Sequence, residues 1–138
     1  MSAMLTTQND RAFAVARMEF QKLHQRAFVR RLLTWILRRD GTPRALDAVH
    51  HVRLGGTRRL REVNLDDIQG SVGRTRDYTR SFLPRRGADE QRWATVRVAV
   101  DSPTGLPPIE LLELDGVFYV EDGHHRVSVY RHLGVRSV

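Results

Sequence analysis

The sequence predicts an α+β fold, in which a small mixed sheet with packed helices follows a long amphipathic helix. Three observations lead to this prediction. Apolar residues recur at helical spacing near the N-terminus, two apolar runs flank a tight Asp115-Gly116 turn, and a helical pattern begins soon after Gly123. A length of 138 residues and a hydrophobic content of 41% suit one domain with a core of its own.

The first predicted element is a helix over residues 9–39. Asn9 or Asp10 can cap it, and the breakers at 41–43 end it. Its apolar stripe runs through Phe13, Ala16, Phe20, Leu23 and Ala27, and continues through Phe28, Leu32, Trp35 and Ile36. Arginines occupy the opposite face. Three uses stay open for such a helix: packing on the body or on a second subunit, contact with nucleic acid, and binding to a membrane surface.

The middle of the chain predicts short elements. We expect a helix over 45–52, a turn at 54–57, a strand over 61–68, a glycine-containing loop over 69–74, a helix over 77–83 and an exposed loop over 87–90. Residues 91–100 fit helix and strand equally, because their apolar residues match both periods.

The C-terminal third predicts a hairpin and a helix. A loop over 103–108 precedes strands over 109–114 and 117–120, which flank the Asp115-Gly116 turn. Residues 127–133 then form a helix that Gly134 ends.

Composition excludes several classes of protein. The chain has no cysteine, which excludes disulfides, thiolate–zinc and iron–sulfur sites, and a cysteine nucleophile. No apolar run is long enough to span a bilayer, and the polar N-terminus does not resemble a signal peptide. We therefore expect a soluble, cytoplasmic protein.

Positive charge dominates the front of the chain. There are 23 basic residues against 16 acidic ones, a net charge of +7, and Lys22 is the only lysine. The excess of arginine fits a coding bias, and it also fits phosphate recognition by guanidinium groups. Residues 101–122 contain six acids and no base. This asymmetry suggests a polyanionic partner.

The segment 122–126, Asp-Gly-His-His-Arg, carries the clearest chemical signal. It follows a predicted strand and immediately precedes a predicted helix. Unpaired amides in the first turn of a helix, the positive end of the helix dipole and an adjacent arginine together suit an anion. The acidic Asp122 can cap the helix, orient a histidine, hold Mg²⁺ beside a polyphosphate or act as a base.

Three stretches resemble the ParB/sulfiredoxin superfamily, whose module is also called the ParB-like nuclease domain. They are Val63-Asn64-Leu65-Asp66-Asp67-Ile68, Pro107-Pro108-Ile109-Glu110-Leu111, and residues 119–134 with their Asp-Gly-His-His-Arg loop. The loop resembles the branch of the family that includes kinases acting on free serine. A sulfiredoxin is excluded, since His124 stands where that enzyme has its cysteine. The resemblance implies a ParB-like domain over 61–138. It does not cover the preceding segments, which the residue pattern predicts as an arginine-rich amphipathic helix over 1–44 and a linker over 45–60.

The resemblance also implies a bacterial protein that binds a nucleotide or a nucleic-acid phosphate, with Mg²⁺ as a companion of the nucleotide. Phosphotransferase, NTPase and nuclease activities stay open. The implied catalytic residues are Asp122, His124 and His125. The implied phosphate-binding residues are Gly123, His124, His125, Arg126, Ser128, Arg74 and Arg76. No protein metal site is expected.

The alternative is a DNA- or RNA-binding protein without catalysis, or a homodimer formed through the first helix. In the nucleic-acid version, the contacts come from Arg30, Arg31, Arg38 and Arg39. Trp93, Tyr119 and Tyr130 are expected in the core rather than as base-stacking platforms, and His50-His51 at the surface.

Overall fold

The structure is a computed structural model that describes residues 2–36, 44–45 and 58–138. Its helices are α1 (Ser2–Ile36), α2 (Glu90–Val100) and α3 (His124–His132). Its strands are β1 (Arg44–Ala45), β2 (Ile68–Ser71), β3 (Glu110–Leu114) and β4 (Val117–Asp122), and short 3₁₀ turns occupy Leu65–Asp67 and Gly87–Asp89. Within these described ranges, no helix has both the length and the hydropathy needed to cross a membrane.

The described strands form one mixed sheet in the order β1-β2-β4-β3. β2 pairs in parallel with β1 and β4, whereas β3 and β4 form an antiparallel hairpin. The hairpin turns at Asp115 and Gly116, which have φ angles of 51° and 76°. The predicted α+β class with an N-terminal helix is thus confirmed. Because β2 and β4 are parallel, their C-terminal ends meet at one edge of the sheet, where the loop 122–126 begins.

Two clusters of buried side chains flank α3. One cluster lies on the sheet and includes Ile68, Phe118, Val120 and Val127 of α3. The other contains Phe20, Leu23, Trp93 and Val129, and joins α1 and α2 to α3. Trp93 is fully buried and Tyr119 is largely buried, as the sequence predicted. Tyr130 is partly buried against the first cluster.

The helix α1 confirms the first half of the predicted apolar stripe and corrects the second. Ala16, Phe20, Leu23 and Ala27 are buried, but Phe28 and Leu32 are 68% and 48% exposed. At 1.5 Å per residue, α1 is about 52 Å long and its partner α2 only about 16 Å, so α2 covers part of the stripe. The predicted cap is wrong, because Asn9 and Asp10 lie inside the helix.

The strand predicted over 61–68 is wrong for most of its length. Asn64 Oδ1 accepts a hydrogen bond from the amide of Asp66 at 2.9 Å, which starts the 3₁₀ turn at Leu65–Asp67. The strand β2 begins only at Ile68, so residues 69–71 of the predicted loop belong to it. Val63 pairs instead with the C-terminal Val138 through two backbone hydrogen bonds.

The helix predicted over 77–83 is also wrong. Its residues form a compact loop, in which Thr79 and Leu83 exchange backbone and side-chain hydrogen bonds and Phe82 has a φ of 58°. Residues 87–89 form a 3₁₀ turn, and Asp89 is buried rather than exposed.

Residues 91–100, for which the sequence left helix and strand open, are helical and form most of α2. Ala45 belongs to β1 rather than to a helix. The rest of the helix predicted over 45–52, the turn over 54–57, most of the linker, and His50-His51 lie outside the described residues.

Candidate functional site

The junction between β4 and α3 is the structural centre of the site. β4 ends at Asp122, Gly123 turns the chain with a φ of 101°, and α3 begins at His124. A φ of this sign strongly favours glycine, because glycine has no Cβ that would clash with the backbone. The amides of His124, His125 and Arg126 form the first turn of α3 and have no acceptor within the helix. The loop 122–126 therefore presents backbone donors at the positive end of a helix dipole.

Arg126 folds back over this turn. Its Nη1 donates to the carbonyl oxygens of Pro107 and Pro108 at 2.7 and 2.6 Å, and its Nη2 pairs with the Asp122 carboxylate. A Cβ at position 123 would lie 2.9 Å from Nε of Arg126, which gives a second reason for glycine there. The guanidinium thus holds the loop against the segment before β3, and its charge is paired with Asp122.

His124 is buried against the end of β2. Its Nε2 lies 2.6 Å from Ser71 Oγ, which also accepts a hydrogen bond from the amide of Arg74 at 3.2 Å. Burial, assisted by the charge of Arg74, lowers the pKa of His124 to about 4. The imidazole is therefore neutral at pH 7.

His125 contacts a different hydroxyl. Its Nδ1 lies 2.7 Å from Tyr78 Oη, and within the described part of the chain its buried Nε2 has no hydrogen-bond partner. Burial lowers the pKa of His125 and raises that of Tyr78 above its usual range, so neither group is charged near neutral pH. Asp89 opposes the first of these shifts, because its negative charge favours a protonated imidazole.

Arg74 connects the two histidines to a pair of carboxylates. Its Nε donates to Asp77 at 2.8 Å, its Nη2 lies 3.7 Å from Asp89 Oδ1, and its guanidinium lies over the Tyr78 ring. The other oxygen of Asp89 is buried, and has no partner among the residues that the structure describes. These contacts hold Arg74 beside the histidines, and its expected role in phosphate binding stays a prediction.

The remaining predicted site residues are less central. The Asp122 side chain is 70% exposed, and Arg76 is exposed. Ser128 is buried in the core, where its hydroxyl accepts a hydrogen bond from Trp93 Nε1 at 3.0 Å. Ser128 thus supports the packing of α2 on α3.

The predicted nucleic-acid residues of α1 are described only in part. Arg30 donates to Ser81 Oγ at 2.5 Å. The side chain of Arg31, and Arg38 and Arg39 altogether, lie outside the described part.

Sequence reasoning missed three residues that the structure brings to the histidines. They are Ser71, Tyr78 and Asp89. The position of Ser71 inside the predicted glycine-containing loop, just after a predicted strand, was a usable signal, since polar residues after strand ends often serve a site. Tyr78 and Asp89 gave no such signal, because their partners are about 35 to 50 positions away in the sequence.

The arrangement suits the binding of an anion by neutral donors and nearby arginines. Ser71 and His124 are paired like a nucleophile and base, but both are buried, which favours a positioning role in this conformation. Asp122 is paired with Arg126, and the described residues contain no cluster of three histidine or acidic side chains able to hold a metal ion.

Comparisons with known proteins add no relative to this description. No protein-family model matches the chain, and no curated protein and no solved structure matches it.

Proposed function

We propose that the loop 122–126 binds a phosphate group of a nucleotide or a nucleic acid. The observation that carries the proposal is the junction of β4 with α3, where Gly123 starts a helix whose first three amides have no acceptor within it, beside the end of the parallel strand β2. Phosphates bind at such helix N-termini because amide donors and the helix dipole act together. Ligands of open sheets also bind outside the carboxyl ends of parallel strands.

Charge around the junction supports an anionic ligand. Besides burial, the charge of Arg74 lowers the pKa of both histidines and that of Arg92 lowers the pKa of His125, so positive charge acts on the first turn of α3. The neutral imidazoles can donate a hydrogen bond to an anion. The carboxylates of Asp122 at His124 and of Asp89 at His125 partly offset the arginine charge there. An anion would in turn favour their protonated forms, so that binding would be accompanied by proton uptake below pH 7.

The proposal concerns binding. Transfer or hydrolysis of phosphate, and cleavage of nucleic acid, remain predictions that the resemblance to ParB-like proteins implies. We propose the same family for residues 61–138, and the order of strand, glycine turn and helix over 117–132 supports this assignment.

Amide chemical shifts provide the direct test. Uniformly ¹⁵N-labelled protein is titrated with inorganic phosphate, and then with ATP, ADP, CTP and GTP, each with Mg²⁺. We expect saturable shifts of the His124, His125 and Arg126 amides with at least one of these ligands. If these three amides do not respond to any of them, the loop does not bind phosphate.

Substitution of Arg74 tests the role of its charge. Losing one charge-assisted contact of about 1.4 kcal/mol weakens binding about tenfold, so Arg74→Gln should raise the Kd by that factor. Arg74→Lys retains the charge and should restore much of the affinity. The matched control is Arg11→Gln, which removes an exposed arginine of α1 and should leave the Kd unchanged. Equal affinities for Arg74→Gln and the control would exclude Arg74 from the site.

A further inference from the structure

A basic groove lies between α1 and α3. It has a volume of about 1120 Å³, and its walls are α1, the 3₁₀ turn Leu65–Asp67 and the C-terminal end of α3 with the residues that follow. Five cationic side chains line it against a single carboxylate, that of Asp66. The cations are Lys22, Arg26, Arg30, Arg131 and Arg136.

The charges of these five residues are not neutralised by ion pairs. Across residues 2–36, 44–45 and 58–138, none of them lies within ion-pair distance of a described carboxylate. Other arginines near α1 are paired: Arg17 with Glu90, and Arg97 with Glu19. The groove therefore concentrates positive charge that the surrounding helices do not balance.

Arg131 is the most constrained cation of the groove. Its Nη2 donates to the carbonyl oxygens of Leu65 and Ile68 at 2.7 and 2.9 Å, and its guanidinium lies over the Phe82 ring. Its Nε is buried and has no hydrogen-bond partner among the described residues. Desolvation lowers the pKa of Arg131, so an anion in the groove would relieve part of the cost of holding this charge.

The cations of α1 form a regular row. Lys22, Arg26 and Arg30 are four residues apart, so they lie on one face with about 6 Å of rise between neighbours. Arg131 and Arg136 face them from the other wall. A row of evenly spaced cations fits a ligand with repeated negative charges better than it fits a single small anion.

We propose that this groove binds a single-stranded nucleic acid through successive phosphates. A positively charged groove that follows the backbone is a common way to hold a single strand, and the row of cations on α1 suits such a groove. Exposed apolar side chains, Val29 and Val135, lie among the cations and can contact sugars or bases. The proposal involves residues other than those of the loop 122–126 and does not depend on phosphate binding there.

Binding of an oligothymidylate by the full chain tests the proposal. For single strands, log K falls with log salt by about 0.7 per phosphate contact, so five contacts give a slope of about −3.5. We expect saturable binding at low salt with a slope approaching this value. A duplex of equal length should bind more weakly. No binding at low salt, or duplex binding as tight as that of the single strand, would overturn the proposal.

A double variant removes one cation from each wall. Arg26→Gln/Arg136→Gln should reduce the salt slope by about 1.4 and weaken binding more than tenfold at about 50 mM salt. The charge-matched control, Arg11→Gln/Arg59→Gln, removes two exposed arginines outside the groove and should bind the strand more tightly than the groove variant. Equal losses in the two variants would show that binding follows net charge alone and not this groove.

Three further measurements distinguish a strand bound in the groove from a strand bound at the loop and from an acidic peptide. Backbone amide shifts of Arg26 and Arg136 in the wild-type protein should respond to the oligonucleotide, which tests the site without any substitution. The amides of His124, His125 and Arg126 should shift less than those of Arg26 and Arg136, and shifts confined to these three loop amides would place the strand at the loop instead. If a polyglutamate peptide binds as tightly as the oligonucleotide, and loses affinity in the groove variant, the partner is an acidic protein segment and the proposal fails.

Discussion

Adjacent histidines at the start of α3 have separate partners, and this pairing shapes the chemistry of the site. His124 contacts Ser71 of β2, and His125 contacts Tyr78 of the loop that follows. Both imidazoles lie next to arginine charge and both are desolvated, so both pKa values are lowered. At neutral pH each histidine acts as a neutral donor or acceptor that fixes the loop, rather than as a cation.

This burial predicts that acid destabilises the protein through His124. The unfolded chain takes up a proton as the pH falls through about 6.5, whereas the pKa of about 4 in the folded protein delays that uptake. The stabilisation is therefore complete above pH 6.5 and is lost as the pH falls toward 4. With 1.36 kcal/mol per pKa unit, His124 contributes about 2–3 kcal/mol to this loss, and His125 acts in the same direction.

Urea unfolding at several pH values between about 7.5 and 4.5 measures the effect. We expect His124→Gln to be less stable than the wild type at the upper end, since the contact with Ser71 is altered, and to lose less stability on acidification. Parallel pH profiles for the two proteins would show that His124 is accessible to protons in the folded state.

At the scale of elements, the packing of α1 against α2 unites the N-terminal helix with the rest of the fold. Phe20 and Leu23 pack with Trp93 and Val129, and Glu19 of α1 lies 3.0 Å from Arg97 of α2. Farther along α1, the apolar side chains of Phe28 and Leu32 are exposed. The apolar stripe of α1 is therefore buried at Phe20 and Leu23 but exposed to solvent at Phe28 and Leu32.

This difference predicts opposite outcomes for two truncations on one helix. Leu23→Ala removes a side chain that is 3% exposed, and should lower the free energy of unfolding by about 2–5 kcal/mol. Phe28→Ala removes a larger side chain that is 68% exposed, and should change it by less than about 0.5 kcal/mol. Urea unfolding of both variants makes the comparison. Similar small effects would mean that α1 does not share the core in solution.

Elements were predictable from sequence where local pattern and tertiary packing agree. The long periodic run of α1 and the Asp115-Gly116 turn are local signals, and both predict the observed structure. The helix predicted over 77–83 failed because Tyr78 is drawn into the core, where it contacts His125. The strand predicted over 61–68 failed because the Asn64 side chain starts a turn, and because Val63 pairs with Val138 at the far end of the chain.

The candidate site follows the same rule. Its loop was visible in the sequence because 122–126 is contiguous, with a glycine where the chain must turn. Tyr78 and Asp89 reach the histidines only through the fold, so no spacing rule could indicate them. The basic groove was equally hidden. Its cations come from two segments about 100 residues apart, and they meet only when α1 packs against the body.

At the scale of the whole molecule, the clustering of five cations around the groove lowers the stability of the folded protein. The chain carries a net charge of +7, and folding brings five cations around one groove that contains a single carboxylate. Like charges at short range destabilise the folded state, and salt screens the repulsion, since the Debye length falls from about 30 Å at 0.01 M to about 3 Å at 1 M. Ion pairs between α1 and α2 are screened by the same salt, so the response of the wild type alone mixes two opposite effects.

The difference in stability between a groove variant and the wild type reports the repulsion within the groove alone. Arg26→Gln/Arg136→Gln leaves the pairs of Arg17 and Arg97 intact, so their screening cancels when this variant is compared with the wild type. At about 10 mM salt we expect the variant to be more stable by about 0.5–1 kcal/mol, and we expect the gap to close at about 1 M. Urea unfolding at the two salt concentrations measures it.

Whether the groove variant is more or less stable than the wild type at low salt indicates why the groove is basic. Selection tolerates groups that lower stability where they serve a function, so a groove variant that is more stable yet binds nucleic acid less tightly would have the expected signature of a binding surface. A wild type that is equally stable or more stable at low salt would mean that the five charges are already balanced in the folded protein. The electrostatic argument for a nucleic-acid strand in the groove would then lose its basis.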